Sequence, residues 1–139
     1  MRLVIVESPF AGKDSEELDR NLRYARAALT DCLRRGEAPF ASHLLYAQPG
    51  VLRDEVGEER YKGIEAGLAW GKVAEATVVY SDLGISSGMR KGMLRATEEK
   101  RPIEMRTIQN RCSRCGEAHA SVADWQYTMC TRCADEAKS

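Results

Sequence analysis

No apolar run in the 139 residues approaches the roughly 20 needed to cross a bilayer, which excludes a helical membrane span. The first residues offer only Leu3-Val4-Ile5-Val6 behind one arginine, too little for a signal-peptide core and without a cleavage site. A cytoplasmic protein is therefore expected. An excess of either charge is missing too. The chain has 21 Lys and Arg against 21 Asp and Glu, and division at Ile108 leaves 17 of each sign before it and four of each after it. Proteins that hold nucleic acid by its phosphates carry a basic surplus, so generic nucleic-acid binding is not expected. Repeats and low-complexity segments are absent. What is present is 43% hydrophobic and 30% charged, enough to bury a core in water. The length suits one α/β domain with a small appendage.

The five cysteines mark where the appendage begins. Cys32 stands alone in a helical pattern, where a small buried apolar residue is the simplest reading. Cys112, Cys115, Cys130 and Cys133 all fall in the last 28 residues, as two C-x-x-C pairs separated by 14 residues. In a cytosolic chain such pairs point to zinc before disulfides. Four thiolates fill a tetrahedral shell, so the ion is expected to be structural and closed to substrate. The chain thus divides into an α/β domain over 1–108 and a zinc ribbon over 109–139, the latter too short to fold without its metal. Trp125 and Tyr127 either fill the ribbon's core or stack on a base. Nucleic acid is expected as a partner only through this ribbon.

Before the ribbon, apolar periodicity alternates between strand and helix. Residues 2–7 form a short β-branched run, and Asp14 or Ser15 then caps a helix carrying Leu18, Leu22, Ala25, Leu29 and Leu33, closed by Gly36. Residues 38–42 predict a second strand, and 43–56 a long loop with a helical turn at most. A helix follows over about 58–73, with Tyr61, Ile64, Glu65, Leu68 and Lys72 near one stripe. Residues 76–80 are a strand, 89–99 a helix and 103–106 a last strand. The order β-α-β-α-β-α-β predicts a flavodoxin-like parallel sheet with helices on both faces. Ligands of such sheets sit beyond the carboxyl ends of the strands, which selects residues 7–13, 42–50 and 81–88.

Within those loops, Ser8 can bond a sugar or phosphate oxygen and Phe10 offers a flat face to a base; an ordinary turn explains both as well. Ser86, Ser87 and Gly88 precede a helix and present free N–H groups suited to an anion, or simply an N-cap. Asp82 suits ribose hydroxyls or an Asx turn. His43 stands at the carboxyl edge after the second strand. Arg90 lies just inside the helix, where it would neutralise a phosphate, whereas Lys91 reads as part of a solvated face.

The runs Val4-Ile5-Val6-Glu7-Ser8-Pro9-Phe10, Ala38-Pro39-Phe40-Ala41-Ser42-His43 and Ala74 to Asp82 leading to Ser87-Gly88-Met89 resemble the nucleoside 2-deoxyribosyltransferase-like superfamily, in particular its small bacteriophage and actinobacterial branch. The resemblance spans about residues 2–107. It implies a homo-oligomer that binds a nucleoside or nucleotide and acts on an N-glycosidic bond. Ser8, Pro9, Phe10, His43, Asp82, Ser86, Ser87, Gly88, Met89 and Arg90 become candidate ligand contacts. It also implies a glutamate nucleophile four residues after the loop glycine, where this chain has Gly92. Either another carboxylate has taken that role, with Glu7 at the strand exit and Glu65 in the second long helix as candidates, or the domain binds a nucleotide without turning it over. In the second case it senses or sequesters the nucleotide. A third alternative is an interaction module that works through the ribbon.

Overall fold

The computed structural model describes residues 1–108 together with 114, 136 and 137; the four tail cysteines lie outside the described residues. The elements are β1 (Arg2–Glu7), α1 (Ser15–Arg34), β2 (Glu37–Phe40), α2 (Ser42–Leu45), α3 (Gly57–Trp70) with a 3-10 turn at Gly71–Val73, β3 (Ala76–Tyr80), α4 (Ser87–Glu98) and β4 (Ile103–Arg106). All strand pairs are parallel, in the order β2-β1-β3-β4. The chain therefore leaves β1 toward one edge and returns to its other side, which makes the carboxyl end between β1 and β3 the switch point. Right-handed crossovers place α1 on one face, with α3 and α4 on the other.

Strand parity then assigns every side chain to a face. Val4, Val6, Ala76, Val78 and Tyr80 point toward α1 and form the main core with Tyr24, Ala27, Ala28 and Cys32. Ile5, Glu7, Thr77 and Val79 take the opposite face. Asp14 caps α1 as expected, its side chain accepting from the Glu17 N–H at 2.8 Å. Gly36, at φ 78°, turns the chain out of that helix.

β2, α4 and α3 depart from expectation, each for a local reason. β2 begins at Glu37, whose buried carboxylate is held by arginines, and it ends at Phe40 because Ala41 starts the turn into α2. α4 begins at Ser87, since Ser86 accepts from the Met89 N–H and caps it. In α3 the anticipated stripe is not the packed face: Tyr61, Glu65 and Lys72 are exposed, and Gly67 is the helix's buried residue. A side chain at Gly67 would run into Ser42, and one at Gly63 would press on Leu52. α3 approaches its neighbours through glycines, which carry no hydropathy signal.

On the α1 face, four charges form a closed ring. Arg106 forks onto Glu37 at 2.7 and 2.8 Å and onto Glu104 at 2.7 Å, while Arg2 reaches Glu104 at 2.7 Å and Glu37 at 3.0 Å. Glu37 and Arg106 are both nearly occluded from water. Because β2 and β4 are opposite edges of the sheet, this pair ties the edges across β1 and β3. The Tyr80 hydroxyl adds a bond from Arg106 at 3.3 Å and donates to Asp31 at 2.7 Å.

Candidate functional site

A cavity of about 240 Å³ opens at the carboxyl end of the sheet, on the α3 and α4 face. β1 supplies Ile5 and Glu7, and the loop after it supplies Ser8 and Phe10. The turn after β2 adds Phe40, Ser42, His43 and Tyr46. α3 contributes Gly63, Ile64, Gly67 and Leu68, and α4 contributes Met89, Lys91 and Gly92 behind Ser86, Ser87 and Gly88. Arg101, Asp54, Glu59 and Arg60 also line it.

Glu7 is the unusual group here. Parity places it on the cavity face, one pleat beyond Ile5, and it sits deep in the molecule with part of its surface open to the cavity. Its carboxyl oxygens take no hydrogen bond among the described residues. Burial raises its pKa from the ordinary carboxylate value to about 8, and the positive charge of Arg101 only partly opposes this. At neutral pH Glu7 is therefore mostly a carboxylic acid. Arg101 is itself buried and anchored, donating to Thr77 Oγ1 at 2.9 Å, to the Gly71 carbonyl at 2.7 Å and to Glu99 at 2.6 Å.

His43 pairs with Ser8, Nε2 to Oγ at 2.8 Å. Burial lowers the imidazole pKa to about 4, so the ring is neutral and exchanges one hydrogen bond with the serine hydroxyl. Phe10 packs 6.0 Å from this ring, and Phe40 lies against Tyr46 and Trp70, giving the cavity an aromatic wall. A buried acid, a neutral serine–histidine pair and aromatic faces together suit an uncharged heterocycle with polar edges.

Of the candidates read from sequence, Glu7, Ser8, Phe10, His43, Ser86, Ser87, Gly88 and Met89 line this one cavity. Four do not. Glu65 is exposed on α3, outside the cavity. Pro9 is buried behind the loop. Asp82 turns toward α1, where it accepts from the Tyr24 hydroxyl at 2.6 Å and the Ile108 N–H at 2.8 Å. Arg90 points to solvent, and Lys91, expected on the solvated face, is exposed and also lines the cavity one residue further round the helix. Arg101 went unread because it reaches the cavity from the loop before β4, at the other end of the sheet. Gly92 and the α3 glycines contribute by what they lack.

A family described as a domain of unknown function (DUF7768) matches residues 2–106. No curated protein matches. Among solved structures, one reported as a 2-deoxyribosyltransferase from the psychrotolerant bacterium Bacillus psychrosaccharolyticus superposes with a TM-score of 0.54 at 19% identity, over 88% of this chain and 87% of that one. At that identity the likeness is one of fold. The family match covers most of the chain, and the chain belongs to the DUF7768 family.

Proposed function

We propose that this protein binds a nucleoside or nucleotide in the cavity and cleaves its N-glycosidic bond, with Glu7 as the acid–base group. One observation carries the reading: a carboxyl group without hydrogen-bond partners among the described residues, protonated at neutral pH, on the wall of an aromatic-lined cavity at the switch point. The fold shared with a deoxyribosyltransferase supports a nucleoside as the ligand class. The Glu7 acid would pass its proton to a ring nitrogen of the base as the C1′–N bond breaks, and the bonding electrons leave with the base. Water then adds to C1′ and returns a proton to the Glu7 carboxylate, giving free base and free sugar. A second base in place of water gives transfer. Such general acid–base assistance contributes about 10²–10⁴-fold to rate.

The test is a panel of nucleosides and nucleotides incubated with the full chain, with released base measured by chromatography and Tm recorded in parallel. Base release from at least one member is the expected result. Stabilisation without release would turn the reading to a non-catalytic nucleotide binder, since a ligand of the folded state raises stability by mass action. Neither effect from any member would overturn the cavity assignment.

For the tail, we propose that Cys112, Cys115, Cys130 and Cys133 hold one structural zinc ion. Metal analysis of the purified, unchelated protein should return about one equivalent per chain, as four-thiolate sites bind tightly at neutral pH. Metal-free protein with four freely titratable tail thiols would refute this.

A further inference from the structure

Glycine is a poor choice for the middle of α4, because it weakens a helix interior relative to alanine. Yet Gly92 occupies such a position and is buried. The reason lies opposite it. A β-carbon built on Gly92 would collide with the Glu7 carboxyl group, overlapping Oε1 and Cδ and standing 2.9 Å from Oε2. Strand parity brings the Glu7 side chain up from β1 to this point, and the missing side chain lets it arrive.

We infer that Gly92 is the positioning residue of the site: the empty space beside its α-carbon is the socket for the Glu7 carboxyl group, so that α4 dictates where that group sits. The inference rests on Glu7 as the working group and deepens that reading. It also means that this spot is already taken by the carboxyl group that the strand delivers. A side chain on α4 at residue 92 and the present placement of Glu7 exclude each other.

The socket closes one side of the carboxyl group with helix backbone. Around the rest of the cavity stand Arg101 from the loop before β4, Ser8 and His43 from the loops after β1 and β2, and Lys91 on α4. Asp54, Glu59 and Arg60 stand at the α3 end. Arg101 is the charge that acts on Glu7, and it opposes the raised pKa. Burial in the socket is what holds the proton on.

The experiment uses the full chain and three variants, Gly92→Ala, Glu7→Ala and the double variant. Carbon NMR of the glutamate carboxyl groups, with Glu7 assigned by its loss in Glu7→Ala, follows the titration. The native midpoint is expected near 8. In Gly92→Ala the carboxyl group is pushed into the open cavity, and its midpoint falls toward the ordinary carboxylate value. Thermal unfolding supplies the second readout. With Glu7 truncated, Gly92→Ala should raise Tm as an ordinary helix substitution does, and with Glu7 present that gain should vanish or reverse. An equal Tm change in both backgrounds, or a Glu7 midpoint unmoved by Gly92→Ala, overturns the inference. Should Gly92→Ala fail to fold, the double variant is expected to fold, and failure of both also overturns it. None of these readouts needs turnover, so absent base release would remove the glycosidic reading and leave this result standing.

Discussion

Glu7→Gln is expected to reduce base release by about 10²–10⁴-fold, the usual loss when a positioned acid–base group is removed. The same variant should become more stable than the native protein as pH rises. The sign follows from the displaced pKa. Below about pH 4 the carboxyl group is protonated in both the folded and unfolded chain and contributes nothing. Between there and about pH 8 the unfolded chain releases the proton while the folded chain keeps it, so rising pH favours unfolding. Glutamine keeps the shape and has no proton to lose. Each unit of displacement corresponds to about 1.4 kcal/mol, so several kcal/mol separate the two proteins at the alkaline end of the interval, reduced by the contact of Glu7 with cavity water. Tm recorded from pH 5 to 9 checks this: the two curves should converge at acid pH and diverge with glutamine above. Parallel curves would mean that Glu7 titrates normally. Activity limited by the acid form should decline as pH passes 8.

The largest structural loss is expected on the opposite face of the sheet. Arg106→Met leaves Glu37 nearly occluded from water without its bidentate partner. Breaking a buried pair by removing one partner costs about 3–5 kcal/mol, and the lower end applies here because Arg2 still reaches Glu37 at 3.0 Å. Replacing both partners, as Arg106→Met with Glu37→Leu, should cost less than the single change, since no orphaned charge remains. The Arg106 hydrogen bonds are the main reason that the Glu37 carboxyl group lies below its usual pKa. A lowered carboxylate pKa contributes stability above the unfolded value and loses it as pH falls through the folded one. Chemical denaturation should therefore show the native protein losing more stability than Arg106→Met between neutral and acid pH. Equal slopes would assign the acid sensitivity elsewhere.

How much of this could be read from the residues alone depends on what each residue signals. The β-branched runs at 2–7 and 76–80 become strands and the α1 pattern becomes a helix where periodicity places them. But α1 buries Asn21, Tyr24, Ala25, Ala27, Ala28 and Cys32 rather than its leucines, and Leu33 is exposed. The cavity loops follow from topology once the strand order is granted, which is why Ser8, Phe10, His43 and Ser86 to Met89 gather in one place. The failures have a common origin. α3 packs through Gly63 and Gly67, so its apolar residues, Tyr61 and Trp70 among them, are partly or wholly outside, and Glu65 inherits an exposed position. Asp82 stands at the right strand end but bends to the Tyr24 hydroxyl, a partner 58 residues away. Nothing in the sequence signals that Arg101 reaches the cavity, and Lys91 is exposed as read while also lining it. Gly92 marked a missing side chain in the sequence; only the geometry revealed what fills the gap.

The ring of Arg2, Glu37, Glu104 and Arg106 has a mechanical consequence for the cavity above it. Outer strands of a small open sheet ordinarily fray before the centre, because each is hydrogen-bonded along one side only. Here both outer strands share a single electrostatic clasp that also grips β1 in the middle of the sheet, so loosening either rim disturbs both. The strand that carries Glu7 on one face is thereby joined to both rims by bonds on the other.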